Sequence, residues 1–323
     1  MDEIGTWARW QSPEQIGWNS ATLARARAVS AAINTESVMI VVGGKVVDAW
    51  GDVARHRNVH SIRKSFLSAL YGIRDALGQV DLDATLGALG IDDKLGLSER
   101  EKLATVHHLL AARSGVYHPS GYESPNMLAI KPARHSQGPG VAWCYNNWDF
   151  NALGTIYGKL TGADLYADFK TRIADPIGMQ DFVPARDGVY VPLEASDHPA
   201  YPFRMTARDL ARFGELFLRG GRWGGQQVVP EAWVADSVAP ISDAGLAGAY
   251  GYMWWVARAG IHFPNARVPE GTYSARGAGG HYIVVVPALD AVIVHRVDTD
   301  RAGNQVSSGQ FGKVLRVILE AVK

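Results

Sequence analysis

The stretch Val59-His60-Ser61-Ile62-Arg63-Lys64-Ser65-Phe66-Leu67 decides how the rest of the chain is read. A serine stands three residues ahead of a lysine, and Phe66, Leu67, Leu70, Tyr71 and Leu77 follow at helical spacing. A helix starting near Ser61 puts positions i and i+3 on one face. Ser61 Oγ then meets Lys64 Nζ, a nucleophile beside a possible base. A Ser-x-x-Lys spacing also arises by chance about once in a chain of this size, so the remaining segments have to support it.

Outward from this motif, Asn19 or Ser20 can cap a helix running to about Ala32. Val38–Val42 and Val46–Trp50 flank Gly43-Gly44 as a β-hairpin. Asp81-Leu82-Asp83 opens a region of helical and loop signals that extends to about residue 200, with a helix at Val106–Ala112 ended by Ser114-Gly115. Residues 115–140 are rich in Gly, Pro, Ser, His and Tyr, the composition of a long ordered loop that lines a site. Asn147 or Asp149 starts a further helix to about Leu160. Thr206 caps another, whose stripe of Leu210, Phe213, Leu216 and Phe217 is explained by core packing. Beyond residue 245 strands take over, at Tyr250–Ala257, Tyr282–Val286 and Ala291–His295, with a turn at Leu289-Asp290; a helix over Phe311–Val322 closes the chain. The pattern predicts an α+β fold. Its sheet is built from both chain ends (residues 1–77 and 201–323), and residues 78–200 are inserted as a mainly helical domain, with a cleft where the two meet.

Composition narrows the function. The chain has 323 residues, 47% of them hydrophobic and 20% charged, enough to bury a sizeable core. Thirty-two basic residues balance thirty-two acidic ones, so nothing favours nucleic acid or an anionic membrane surface as a partner. Cys144 is the only cysteine, which excludes an internal disulfide and any cysteine-built metal site. His107-His108, His118 and His135 lack metal-ligand spacing, because adjacent helical positions point about 100° apart. Asp92-Asp93 lacks the spaced ligands of a calcium loop and reads as a solvated turn, so no metal and no cofactor is expected. Met1-Asp2-Glu3-Ile4-Gly5-Thr6-Trp7 has neither a basic head nor an apolar run, and no segment reaches roughly 18 apolar residues. No membrane span is expected. The chain as given reads as cytoplasmic, or as periplasmic or secreted if a signal peptide was trimmed from it.

Two further clusters carry chemistry. Trp143-Cys144-Tyr145-Asn146-Asn147-Trp148-Asp149 sets a phenol and an amide two residues apart just before a helix, an acid or base with a hydrogen-bond partner, although aromatic burial alone also explains Tyr145. Tyr273-Ser274-Ala275-Arg276-Gly277-Ala278-Gly279-Gly280-His281 leads into an apolar strand. Its glycines fit either a bulge or an edge strand whose free N–H faces a developing oxyanion. His281 stands where it either touches substrate or supports a residue that does. Tyr117, Tyr122, Trp148, Trp254 and Trp255 are candidates for an aromatic wall or for the core. No G-x-S-x-G elbow occurs, which argues against an α/β-hydrolase.

Ser-x-x-Lys, then Tyr-x-Asn, then a glycine motif on a late strand, in this order, resemble the serine β-lactamase-like superfamily of class C β-lactamases, D-alanyl-D-alanine carboxypeptidases and family VIII carboxylesterases. His108–Gly115 and Tyr250–Trp255 also look like segments of that family, so the resemblance spans nearly the whole chain. It implies a β-lactamase/transpeptidase-like fold with Ser61 as acylated nucleophile and Lys64 and Tyr145 as acid/base partners. It also implies that Asn147 orients Lys64 and substrate, and that Gly277 is the third-motif glycine. The backbone N–H groups of Ser61 and Ala278 would form the oxyanion hole. The departure is at Ala275 and Arg276, where penicillin-recognising members carry Lys or His and then Thr or Ser. Arg276 can replace the usual cation only if its side chain faces the cleft, and strand alternation sets it on the opposite face from Ala275, so that cation is expected to be missing. An esterase or amidase with a neutral acyl pocket, acting on a small ester or amide, is therefore expected ahead of a true β-lactamase or carboxypeptidase, and both ahead of a catalytically silent binding protein. Oligomeric state is not legible.

Overall fold

The structure, a computed structural model, describes residues 4–322; Met1, Asp2 and Glu3 of the N-terminal stretch read above lie outside them. The Gly43-Gly44 hairpin forms as expected between β1 (Thr35–Val42) and β2 (Lys45–Gly51), because both glycines take the positive φ that a tight hairpin turn requires. The other six strands of the main sheet come from the C-terminal part: β3 (Ser242–Asp243), β4 (Ala249–Tyr250), β5 (Trp255–Val256), β6 (Tyr273–Gly277), β7 (His281–Val286) and β8 (Ala291–Val297). Their order is β2-β1-β8-β7-β6-β5-β4-β3, with every pairing antiparallel. Val38 lies opposite His295, so the two ends of the chain share one ladder.

The single strand expected over Tyr250–Ala257 is instead two short strands, β4 and β5, folded back on each other. The reason is local. Gly251 lies against Ser237 O, where a Cβ would come within 2.1 Å; Tyr252 N donates to that same carbonyl, and Met253 turns the chain at φ 61°.

Alternation along the strands sends two apolar sets to two helical layers. Val38, Ile40, Val284 and Ile293 pack with α1 (Ser20–Ala31) and with the C-terminal helix, Ser308–Leu319. The latter starts three residues before the expected Phe311, because Ser307 and Gln310 form a capping box. Met39, Val41, Ile283 and Val292 face the opposite layer. There the helix Ala207–Leu218, capped by Thr206, lies so close that a Cβ on Gly214 would be 2.5 Å from Val292 Cγ1.

Beneath that layer runs α2 (Arg63–Ala76), whose residues Arg63 to Arg74 are all buried. Three of its polar side chains find partners across the core: Ser65 Oγ donates to Met253 O at 2.8 Å, Tyr71 Oη to Leu153 O at 2.7 Å, and Arg74 pairs with Asp168 at 2.7 Å. Residues 78–200 contribute no strand to the main sheet. They hold α3 (Val106–Leu110) and α4 (Asn147–Thr161) among shorter helices and a small hairpin, and one apolar cluster runs unbroken from Met39 through Phe66 to Leu153. α3 ends two residues earlier than expected, since Ala112 is left-handed (φ 55°) and its carbonyl receives Cys144 N. Among the described residues no helix is long and apolar enough to cross a membrane.

Candidate active site

Ser61 does not sit in α2 itself. It lies in a 3-10 turn, His60–Ile62, that feeds the helix, and His60 enters that turn at φ 49°. Lys64, in the first turn of α2, is 1% exposed. Its Nζ lies 2.9 Å from Ser61 Oγ, 2.6 Å from Tyr145 Oη and 2.9 Å from Asn147 Oδ1, so the other three polar groups named from the sequence converge on this one nitrogen.

Asn147 reaches Lys64 because it is not the helix cap. Asn146 is: its Oδ1 accepts from Trp148 N, and its Nδ2 donates to Val116 O and to Asp149 Oδ1. Asn147, at the first helical position, is left free to spend its Nδ2 on Gly121 O (3.0 Å) and Tyr122 O (2.8 Å). Both of its donors are thereby used, and only Oδ1 faces Lys64. The loop 115–140 thus supplies carbonyls that fix the site, a role with no sequence signal beyond its composition. Asp149, the other expected helix start, is buried beside Ser114 and Asn146, and burial raises its carboxyl to about 8.

Burial pushes Lys64 well below its ordinary value, and the neighbouring Arg63 charge adds to the effect. Burial likewise lifts Tyr145 to about 12, against the opposing pull of its hydrogen bond with Ser61 and of the Arg63 and Arg276 charges. Burial thus works against charge on both groups, favouring the neutral amine and the neutral phenol. Lys64 Nζ also stands 4.3 Å from the centre of the Tyr145 ring, which packs against Trp255 and Tyr250.

The glycine stretch lies across the cleft from Ser61. β6 is an interior strand and not an edge, yet β5 covers only Tyr273 and Ser274, so from Ala275 onward its side toward Ser61 has no strand partner. Gly277 approaches the turn that carries Ser61 so closely that a Cβ would fall 2.3 Å from Val59 O. Ala278 follows just after the ladder ends at Gly277 and His281.

Two cavities open on Ser61, and both touch Tyr122 and Ala278. The larger, about 490 Å³, is also walled by Tyr145, Trp255 and Arg276. The smaller, about 180 Å³, is walled by Arg63 and Asn147. Neither has an acidic lining residue.

Two expectations are corrected here. A cation does line the cleft at the third motif: Ala275 is fully buried in the core, while Arg276 forms part of the larger cavity's wall. Its guanidinium is held, with Nε donating to Ser274 Oγ, Nη2 to His262 O, and its face 4.2 Å from the Phe263 ring centre. Nor is the pocket beside Ser61 neutral, since Arg63 lines it. Of the proposed aromatic wall only Tyr122 and Trp255 reach the cleft; Tyr117, Trp148 and Trp254 are buried. His281 is buried too, bonded to Thr299 and packed against His60.

A large antiparallel sheet with helices on both faces, and a Ser-x-x-Lys turn opening a buried helix, define a β-lactamase/transpeptidase-like fold. The family model described as Beta-lactamase matches residues 21–301, and the chain belongs to that family of serine hydrolases. Solved structures share the fold at low identity. A Bacillus anthracis protein provisionally named a 6-aminohexanoate-dimer hydrolase has a TM-score of 0.69 at 22% identity, over 91% of this chain and 80% of that one. The class C β-lactamase of Rhodobacter sphaeroides has a TM-score of 0.67 at 16% identity, covering 93% and 99%. The octameric penicillin-binding protein homologue of Pyrococcus abyssi has 0.66 at 17%, covering 93% and 76%. No curated protein matches the chain.

Proposed function

We propose that this protein is a serine hydrolase that cleaves small esters or amides through an acyl-Ser61 intermediate. The observation that carries this reading is the contact of one buried amine, Lys64 Nζ, with Ser61, Tyr145 and Asn147 at once. A neutral amine has two N–H donors and one lone pair. Asn147 Oδ1 can only accept and the Tyr145 oxygen accepts the second donor, so the lone pair is left for the Ser61 hydroxyl proton.

Ser61 Oγ attacks the carbonyl carbon as its proton passes to Lys64. The carbonyl oxygen becomes negative beside the N–H groups of Ser61 and Ala278. Lys64 relays the proton through Tyr145 to the leaving oxygen or nitrogen as its bond to carbon breaks. Water then enters by the same relay in reverse and frees the acid.

Amides stay beside esters because the same relay through Lys64 and Tyr145 can protonate a leaving nitrogen as well as a leaving oxygen. β-Lactam or D-Ala-D-Ala hydrolysis is the second reading, favoured by Arg276 in the cleft wall. It ranks lower because Nε and Nη2 of that guanidinium are already bound to Ser274 and His262. Intact-mass measurement after a fluorophosphonate should show one adduct, absent in Ser61→Ala. p-Nitrophenyl butyrate, nitrocefin and a D-Ala-D-Ala peptide, assayed side by side, separate the substrate classes. Ligand binding that survives Ser61→Ala, with no adduct and no turnover, would instead identify a silent binding protein.

A further inference from the structure

The two cavities at Ser61 differ in a way that the hydrolase reading does not use. Tyr145, which delivers the proton to the departing group in that reading, lines the larger cavity and not the smaller one. The leaving group therefore departs into the larger space, and the smaller is left for the acyl chain. At about 180 Å³ it has room for about six water-sized groups.

Arg63 is part of its wall, 5% exposed. The guanidinium is held firmly on two sides: Nη2 donates to Asn151 Oδ1 at 2.8 Å, and the plane lies 3.9 Å from the centre of the Tyr201 ring. Its Nη1 is buried with no hydrogen-bond partner. Among the described residues no carboxylate stands within ion-pair distance of Arg63, whereas the buried Arg74 of the same helix has Asp168. A buried cation without a counter-charge is costly, and a cation fixed in place with an unused donor is prepared for an anion.

The geometry points to Arg63 as a specificity residue that binds a carboxylate at the far end of a short acyl chain. Resting on the hydrolase reading, this names its substrate class: monoesters or monoamides of short dicarboxylic acids, of succinyl or glutaryl length. The carboxylate supplies the missing counter-charge in the smaller cavity while the leaving group occupies the larger one.

The test compares kcat/KM of the intact protein for mono-p-nitrophenyl glutarate, for p-nitrophenyl valerate, which matches it in chain length without the charge, and for 4-(valeryloxy)benzoate, which carries the charge on the leaving group. We expect the glutarate ester to be preferred over valerate by about tenfold or more, and the benzoate to show no such gain. In Arg63→Met, read on the alkaline plateau, the glutarate-to-valerate ratio should fall to about one, and Arg63→Lys should keep part of it. Wild type alone gives a second measure: free glutarate should slow fluorophosphonate labelling of Ser61, and valeramide at the same concentration should not. Labelling of Ser61 with equal rates for glutarate and valerate esters, or no protection by glutarate, overturns the anion pocket and leaves the hydrolase reading standing. No labelling of Ser61 by any reagent overturns both.

Discussion

Asn146 and Asn147 are adjacent amides with separable tasks, and replacing each in turn should split stability from catalysis. Asn146→Ala removes the cap on Trp148 N, at about 1 kcal/mol. It also takes the donor from the buried Val116 carbonyl and from Asp149, which adds about 1–3 kcal/mol. The sum is about 3 kcal/mol. With an unfolding entropy of about 2.1 cal/mol/K per residue over 323 residues, that lowers Tm by about 4 °C. Asn147→Ala leaves the cap in place but releases Lys64 from its acceptor and frees the Gly121 and Tyr122 carbonyls, so Lys64 loses its fixed position. A base displaced by about 1 Å costs about 100-fold in rate. Calorimetric melts and p-nitrophenyl butyrate hydrolysis should show the two losses in different variants: a lower Tm with kcat/KM reduced by less than about tenfold in Asn146→Ala, and a kcat/KM reduced by about 100-fold in Asn147→Ala. An Asn147→Ala protein as active as wild type would refute the placement of Lys64 as the proton acceptor. Asn146→Ser should recover about a third of the lost Tm, because serine caps equally well but leaves Val116 O and Asp149 without the amide donor.

Four further outcomes are expected. The rate of Ser61 acylation should rise with pH as Lys64 loses its proton, and Arg63→Met should move that limb to higher pH, since the Arg63 charge helps keep Lys64 neutral; stopped-flow labelling across pH reads both. Lys64 holds its proton less tightly in the fold than in the unfolded chain, so between its depressed folded value and 10.5 the unfolded state holds up to one more proton and stability rises with pH, by up to about 1.4 kcal/mol per pH unit. Urea melts of Lys64→Met should lack that slope. Gly277→Ala should stay folded but lose acylation, because its Cβ would press on Val59 O and shift the strand away from Ser61; circular dichroism beside fluorophosphonate labelling separates the two effects. Gly214→Ala should do the reverse, losing about 1–3 kcal/mol of stability against Val292 and Ile283 with its site intact in thermal and activity assays.

Much of this structure was legible because it is periodic. Helical spacing after Ser61, the short continuous apolar runs of β1, β7 and β8, and the Thr206 cap each reflect a local rule that the fold obeys. Ser61, Lys64, Tyr145 and Asn147 could be named because motif residues carry their chemistry in their type. The misreadings lie where a contact is made by backbone from a distant segment. Nothing in the sequence shows that Ser237 O pulls Gly251 into a turn, or that Gly121 and Tyr122 offer carbonyls to Asn147. Alternation placed Arg276 opposite Ala275 correctly, but the cavity continues past the end of β5, and so reaches both Ser61 and Arg276. Arg63 escaped notice inside the motif because an arginine at a helix start usually faces water, and here the Tyr201 ring and Asn151 enclose it.

The pairing of β1 with β8 has a consequence for how the molecule comes into being. The N-terminal hairpin leaves the ribosome with Val38, Ile40 and Val42 facing one way and Met39 and Val41 the other, and its second neighbour is the strand Ala291–Val297. Until that strand emerges, β1 has an open edge and two uncovered apolar faces. The helix that follows Ser61 is likewise held by Met253 and by the layers on either side. Sheet closure and completion of the Ser61 site must therefore arrive together, and the nascent chain is at its most aggregation-prone just before Ala291–Val297 is made.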